Sequence, residues 1–163
     1  MEKFTIRPAT STDVPVILEL IRALATYERA PNEVTATEET LTEVLFGKNP
    51  TAEVLLLFEE ETATGFAVFF HNFSTWLGRP GVYLEDLFVR PEHRGKGYGR
   101  ALLVHLAKIA RDRNCGRMEW AVLDWNEPAI QFYRKLGAKP MDEWTVFRLT
   151  RDGIERLADA GSS

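Results

Sequence analysis

The chain of 163 residues has little of what disulfide-stabilised, metal-binding or membrane-spanning proteins need. It contains one cysteine, Cys115, so no internal disulfide can form, which favours a reducing compartment. Its three histidines are scattered without a Cys/His cluster, so we expect no metal. No apolar run approaches the ~20 residues that cross a bilayer, and no signal-peptide pattern opens the chain. We expect a cytoplasmic protein with no membrane partner.

Two common nucleotide-binding patterns are also absent. No Gly-x-x-x-x-Gly-Lys-Ser/Thr sequence occurs, which argues against a P-loop hydrolase. The glycines at 95, 97 and 99 depart from the G-x-G-x-x-G order of a dinucleotide fold, and they lie past the middle of the chain. The formal charge of −4 disfavours non-specific nucleic-acid binding and favours cationic partners. We therefore expect no nucleic-acid partner.

The composition is that of one globular domain with a mixed α/β fold. Hydrophobic residues make up 45% of the chain, charged residues make up 27%, and no Pro-, Gly- or Ser-rich linker divides it. We expect a single domain over residues 1–163 with its core at 3–150. Apolar patterns predict strands at Phe4–Arg7, Val54–Phe58, Gly65–Phe70, Leu84–Val89, Met118–Leu123 and Trp144–Leu149.

Helical periodicity predicts four helices between these strands. A Thr10-x-x-Asp13 capping box precedes the first of them, and residues 76–81 have the Gly and Pro content of a loop. Early hairpin strands need antiparallel neighbours whereas strand–helix–strand units need parallel ones, so the sheet should be mixed. The helices are expected over residues 11–28, over residues 37–45, from the glycine-rich loop to Asn114, and from Asn126 to Gly137.

The most informative segment is an apolar strand, a turn and a glycine-rich loop that opens the third helix. Residues 84–99 carry these parts in that order. The first turn of a helix leaves backbone N–H groups without intrahelical partners, and the helix dipole attracts anions there. Glycines let the backbone approach an anion closely, while Arg94, Lys96 and Arg100 add positive charge. The segment predicts a phosphate-containing ligand beside a carboxylate.

Residues 94–99, Arg-Gly-Lys-Gly-Tyr-Gly, resemble the Arg/Gln-x-x-Gly-x-Gly/Ala signature of the GNAT superfamily of acyl-CoA-dependent N-acetyltransferases. Residues 83–89, 121–126 and 4–9 are similar to the diamine branch, which holds spermidine/spermine and thialysine acetyltransferases. The resemblance covers roughly residues 3 to 150. It implies a GNAT-like fold, in which a mixed, mostly antiparallel sheet flanked by helices splays open at the acetyl-CoA site. It also implies a homodimer.

The resemblance implies which residues would hold acetyl-CoA and which would act on the amine. Glu85 lies on the strand that leads into the loop and is the candidate base, acting through water. Asp86 should face the other way unless a bulge intervenes, as it often does in this superfamily, in which case Asp86 is expected to help attract a cationic substrate. Acetyl-CoA is expected at Leu87, Phe88, Val89, Arg94, Gly95, Lys96, Gly97, Tyr98, Gly99, Arg100 and Asn126.

Tyr133 follows Asn126 by seven residues, about two turns of the fourth helix. Its family counterpart is proposed to protonate the departing CoA thiolate, and a phenol hydroxyl can donate that proton. Asn126 suits both a helix cap and a hydrogen bond to the pantetheine arm. Core packing of the Tyr133 ring is the alternative that the pattern leaves open.

The amine site is expected to be acidic and partly apolar. Tyr27 and Glu28, with Glu33, resemble the positions that hold the distal amine in the diamine branch, and Trp120 could line a methylene chain. A segment after Gly137 is shorter than in the polyamine enzymes, so the substrate stays open between a polyamine and a lysine-like amine. Peptide acetylation and non-catalytic acyl-CoA sensing are the alternative functions.

Overall fold

The computed structural model describes residues 3–161, which divide into two units. The first unit ends at Ala121 and the second begins at Val122. The single domain expected over residues 1–163 stays a prediction, and each unit is described by itself. No helix among residues 3–161 is long and apolar enough to cross a membrane.

One sheet of five strands forms the first unit, and its strands lie in chain order. The first four pair antiparallel and the fifth pairs parallel with the fourth. The sheet is therefore mixed and mostly antiparallel, as the sequence predicted. The strands are β1 (Phe4–Pro8), β2 (Glu53–Glu59), β3 (Thr62–Ser74), β4 (Arg79–Val89) and β5 (Met118–Trp120).

Within residues 3–161, five α-helices accompany the strands, three in the first unit and two in the second. The four predicted helices are all present, with ends shifted by a few residues, and a fifth follows them near the C-terminus. Short 3-10 turns lie at 11–13, 31–33 and 91–93. The helices are α1 (Val14–Tyr27), α2 (Glu38–Phe46), α3 (Tyr98–Asp112), α4 (Glu127–Lys135) and α5 (Arg151–Ala160).

Helix α1 packs its apolar stripe on one face of the sheet. Ile17 and Leu20 have no exposed surface, and they share a core cluster with Phe66 of β3 and Phe88 of β4. Each fully buried side chain of this size contributes about 1.5–3 kcal/mol to folding. The buried stripe orients α1 so that its C-terminus, with Tyr27, lies beside β4 and the Phe88 ring.

The sheet opens at the β4–β5 edge. The parallel ladder pairs three residues of each strand and ends at Leu84 and Trp120. Strand β4 continues to Val89, and no other strand of residues 3–161 pairs with that edge. This is the splayed geometry that the GNAT resemblance implied.

Three sequence predictions about strands and loops need correction. Strand β5 ends at Trp120 and not at Leu123, and β4 begins at Arg79, inside the segment predicted as a loop. The strand predicted at Trp144–Leu149 is wrong, because those residues form neither strand nor helix. Trp144 and Phe147 are 73% and 92% exposed. Apolar alternation makes a strand only beside a partner edge, and the described part of the second unit contains no strand.

Candidate active site

A bulge in β4 lies at Glu85. The ladder with β3 pairs Phe69 with Leu84 and Val68 with Asp86, so Glu85 is the extra residue. Because cross-strand partners share a face and successive residues alternate, the bulge turns Asp86 to the face opposite Leu84. Glu85 also alternates away from Leu84. The bulge that the resemblance allowed is therefore confirmed, and it places the two carboxylates on the same face.

Among the carboxyl groups on this face, Asp86 has the pKa that is shifted most from its ordinary value. Burial, and then the negative charges of Glu85 and Glu28, raise the pKa of the Asp86 carboxyl to about 6. Burial also raises the pKa of Glu28, which follows the last residue of α1. Like charges this close stabilise a bound cation. The pKa of the Tyr83 phenol is raised by burial and by the charges of Glu85 and Glu119.

Arg94 connects the glycine-rich loop to the end of α1. Its guanidinium carbon lies 4.4 Å from the centroid of the Tyr27 ring and 5.5 Å from that of Phe88. Its Nε donates a hydrogen bond of 2.9 Å to the Val89 carbonyl. Such stacking holds a cation over an aromatic face. The structure thus brings Tyr27, predicted to bind the amine, against Arg94, predicted to bind acetyl-CoA.

The loop before α3 has the backbone shape that an anion site requires. Gly95 and Gly97 have φ angles of +82° and +83°, which glycine adopts without strain. A Cβ atom at either position would meet no heavy atom within 4 Å, so the space beside the loop is open. Gly97 is also the N-cap of α3 and has no side chain to cap the first turn. A helix N-terminus that follows such glycines fits a pyrophosphate.

The side chains of the predicted acetyl-CoA residues divide into buried and outward-facing groups. Phe88 and Tyr98 are only 4% and 2% exposed, so we expect these two residues to meet a ligand through the backbone. Leu87 and Val89 are half-buried on β4. Arg100, in the first turn of α3, is exposed.

Sequence reasoning missed Glu59, the last residue of β2. Its carboxylate accepts hydrogen bonds from Lys96 Nζ at 3.0 and 3.2 Å and from the Tyr98 hydroxyl. His93 Nδ1 lies 3.4 Å from Glu59 Oε2. Hydrogen bonds from Tyr98 and Lys96 lower the pKa of Glu59 to about 2. No local pattern signals these contacts, because Glu59 is 39 residues from Tyr98 in sequence.

The second unit carries Tyr133, the other predicted catalytic residue, and Asn126, which was predicted to bind acetyl-CoA. Asn126 caps α4, because its side chain accepts a hydrogen bond of 3.4 Å from the Ala129 N–H. Tyr133 lies two turns along α4, half-buried, with its ring 5.5 Å from that of Phe132. Trp120 belongs to the first unit, where it ends β5 and is half-buried. Glu33 lies exposed in the 3-10 turn after α1.

No group of three or more His, Cys, Asp or Glu residues that could hold a metal ion occurs among residues 3–161. Cys115 Sγ lies 3.8 Å from His71 Nδ1, beside the C-terminal end of α3. His71 accompanies a bidentate ion pair between Arg113 and Glu53. This cluster is separate from the bulge and the glycine-rich loop in sequence and in strand register.

A splayed mixed sheet with an anion-binding loop and an acidic bulge on one strand defines a class of acyl-transferring enzymes. Residues 17–138 match the Acetyltransferase (GNAT) family, and the chain belongs to that family. It is an N-acetyltransferase, and members of this family use acetyl-CoA.

The relatives and one solved structure agree with this assignment. Thialysine N-epsilon-acetyltransferase of Bos taurus is 38% identical, over 94% of this chain and 96% of the relative. L-ornithine N5-acetyltransferase of Arabidopsis thaliana is 34% identical, over 93% and 86%. An integron cassette protein from the mobile metagenome of V. cholerae superposes with a TM-score of 0.80 at 28% identity, over 95% and 97%. The resemblance to the diamine branch is therefore confirmed.

Proposed function

We propose that this enzyme transfers the acetyl group of acetyl-CoA to a primary amine of a small cationic substrate, by direct attack in a ternary complex. The observation that carries the proposal is the bulge at Glu85, which gathers Glu85 and Asp86 on one face near Glu28. Three carboxylates attract a molecule with more than one ammonium group. The relatives named for thialysine and L-ornithine support a lysine-like amino acid, and a diamine or polyamine has the same chemistry.

Bound acetyl-CoA supplies the acetyl group as a thioester. In this proposal the backbone N–H groups of residues 95–99 hold the pyrophosphate, and Arg94 and Arg100 add charge at the same end of α3. The backbone of Leu87 to Val89 lies on the edge of β4 that β5 leaves unpaired, where it can bind the pantetheine arm and the thioester carbonyl. Asn126 is a second donor for the pantetheine arm.

The amine must lose a proton before it attacks, because an alkylamine with a pKa of ~10.4 is almost fully protonated near neutral pH. Glu85 accepts that proton through a water molecule, since it is exposed on the bulge and needs no rearrangement to reach solvent. Asp86 and Glu28 keep a second ammonium group near the site. Tyr27 lines the same end of α1.

Tyr133 donates a proton to the departing thiolate, as the resemblance implies. A phenol carries an O–H group that can donate a proton to the thiolate sulfur. Asn126 caps the same helix two turns earlier, so both side chains project from one side of α4.

Direct attack is supported by the position of the one cysteine. Cys115 lies against His71, whose backbone pairs with Val82. Val82 precedes Glu85 by three residues, about 10 Å along the strand. The thiol therefore contacts a part of the sheet that lies three residues along β4 from the bulge, which supports attack by the amine itself. Double-reciprocal plots of initial rate, with acetyl-CoA and amine both varied, should give intersecting lines. Parallel lines would indicate an acetyl-enzyme intermediate.

The test is release of CoA thiol from acetyl-CoA with spermidine, putrescine, thialysine, lysine, ornithine and a lysine peptide. Wild type should turn over one class of small amine, and Tyr133→Phe should lose about tenfold to a hundredfold in kcat. Faster acetylation of the peptide would point to a protein substrate. Tight CoA binding without turnover on any amine would point to a sensor and end the proposal.

We also propose a homodimer, by analogy with the branch that the chain resembles. Sedimentation equilibrium of the purified protein measures its molar mass in solution and so tests for a dimer. A monomer at micromolar concentration would remove this part of the proposal and leave the chemistry unaffected.

A further inference from the structure

Glu59 lies at the centre of a cluster that joins β2 to the glycine-rich loop. Its carboxylate accepts from Lys96 Nζ through both oxygens and from the Tyr98 hydroxyl. The Tyr98 ring is buried, and the Phe4 ring packs on it with centroids 5.4 Å apart. Because the ring is held by this packing, the position of its hydroxyl is also defined, and the hydrogen bond from the hydroxyl orients the Glu59 carboxylate. Glu59 is therefore held at a defined position relative to α3.

Holding the Lys96 side chain in place restricts the backbone of the loop, because of the position of this residue. It lies between Gly95 and Gly97, the two positive-φ residues, which are the points where this backbone is intrinsically most mobile. Its ammonium lies 3.0 Å from Glu59 Oε2, and both side chains are about three-quarters buried. A charge-assisted contact of this kind limits the conformations of Lys96 and of the glycines on either side.

The contact between Lys96 and Glu59 also affects how the loop can bind an anion. The positive charge of Lys96 is compensated by Glu59 at the start of α3. For Lys96 to bind a phosphate oxygen, its ammonium would have to leave a carboxylate and expose Glu59 to the incoming negative charge. A phosphate bound through the backbone of the glycine-rich loop would leave the Lys96–Glu59 contact in place.

We propose that Glu59 is a positioning residue of the acetyl-CoA loop, which orders residues 94–98 through Lys96 and Tyr98 before the pyrophosphate binds. Lys96 then acts through Glu59 and not as a direct phosphate ligand. This inference rests on the proposed function, because it assumes that the loop binds the pyrophosphate of acetyl-CoA. Ordering the loop in advance lowers the entropic cost of binding.

The test is a double-mutant cycle on CoA binding, measured by isothermal titration calorimetry. Glu59→Gln keeps an acceptor for the Tyr98 hydroxyl and removes the charge that holds Lys96. Lys96→Met removes the ammonium from the other side of the contact. Each variant should weaken CoA binding about fivefold, and the double variant should be no weaker than either one. Glu61→Gln, the same change at an exposed turn residue, is the matched control and should bind like wild type.

Steady-state kinetics add a readout that a general loss of stability would not give. Glu59→Gln should raise the KM for acetyl-CoA about fivefold with kcat and the amine KM unchanged, and Glu59→Asp should restore part of the loss. Should Glu59→Gln fail to fold, Glu59→Asp takes its place in the cycle, with a smaller loss of CoA binding that is again not additive with that of Lys96→Met.

Three outcomes overturn the inference. Equal losses from Lys96→Met in the wild-type and Glu59→Gln backgrounds would make Lys96 a direct phosphate ligand. Tighter CoA binding by Glu59→Gln would mean that Glu59 merely repels the anion. Both leave the proposed function intact, because wild type binds CoA in each case. Failure of wild type to bind CoA would remove the proposed function, and this inference with it.

Discussion

The acidic bulge and the glycine-rich loop lie on one strand–loop–helix segment, yet the charged side chains of the two regions differ in how far other groups of the protein compensate them. At the loop, Lys96 is compensated by Glu59 and Arg94 is stacked on Tyr27 and hydrogen-bonded to Val89. At the bulge, no ion pair among residues 3–161 engages Glu28, Glu85 or Asp86, and burial with like charge raises the pKa of Asp86. The cationic side chains of the loop are held by contacts within the protein, whereas the bulge has an unbalanced negative charge that a bound cation would relieve.

This difference suggests how the enzyme separates its two substrates. In the proposed site an anion would meet the backbone of the glycine-rich loop, which any pyrophosphate would satisfy, so the loop is suited to a cosubstrate shared by a whole family. A cation meets side-chain carboxylates, whose number and position vary with the sequence. Specificity for the amine should therefore lie at Glu28, Glu85 and Asp86. The following changes test whether the bulge serves the amine and the loop serves acetyl-CoA.

The largest effect is expected at the bulge. Glu85→Gln keeps the size and the hydrogen bonds of the side chain but cannot take a proton from the ammonium, so kcat should fall about a hundredfold. The KM for acetyl-CoA should not change, because the loop is untouched. Rates with the best amine of the panel measure both constants, and Glu61→Gln serves as the charge-matched control. A loss of less than about threefold would assign the base to another group.

Asp86→Asn should change how stability depends on pH. The pKa of Asp86 is about 6 in the folded chain and near its ordinary 3.8 when unfolded. The folded state therefore retains the proton as pH rises from about 4 to 6, and stability is lost across that window. Above it, ionised Asp86 costs about 2–3 kcal/mol, which the amide avoids.

Urea unfolding at about pH 4 and about pH 8 measures this effect. Asp86→Asn should gain stability relative to wild type at the higher pH and little at the lower one. Asp142→Asn, at an exposed position of the second unit, should show no such difference. A constant offset at both pH values would mean that Asp86 titrates normally.

A smaller effect is expected at the loop. Gly97→Val places a β-branched residue at a φ of +83° and a side chain in the open space beside the first turn of α3. The KM for acetyl-CoA should rise about tenfold while the amine KM stays constant, the reverse of the Glu85 pattern. Gly78→Val, which also replaces a positive-φ glycine beside open space but in the β3–β4 turn, controls for strain. Equal losses in both variants would make the effect structural.

Local patterns in the sequence were enough to predict the loop, the helix after it and the strand before it. Those parts depend on contacts within a few residues, such as the Gly97 cap and the apolar stripe of α3. The direction of Asp86 depended on a bulge, which the sequence left open and the register of β3 and β4 resolved. The contacts of Glu59 join residues 37 and 39 positions apart, and no periodicity contains that information.

The second unit was predicted less well, for a physical reason. Trp144–Leu149 has the alternation of a strand, but a strand is stabilised by its neighbour, which a single segment cannot specify. Helix α5 was missed although its signals are local. Thr150 precedes it as N-cap, Asp152 lies in its first turn, and helix-favouring Ala, Glu, Arg and Leu residues fill most of it.

The smallest effect should come from Cys115→Ser. The thiol lies 3.8 Å from His71 Nδ1, which is itself 2.9 Å from the Gly81 carbonyl, and it belongs neither to the bulge nor to the loop. Direct attack needs no thiol, so kcat and both KM values should change by less than about twofold. An acetyl-enzyme route through Cys115 would instead abolish turnover and leave an acetylated wild-type chain, visible by mass spectrometry when acetyl-CoA is added without amine. A silent Cys115→Ser would therefore support direct attack of the amine on acetyl-CoA, and Glu85→Gln remains the test of where the amine is activated.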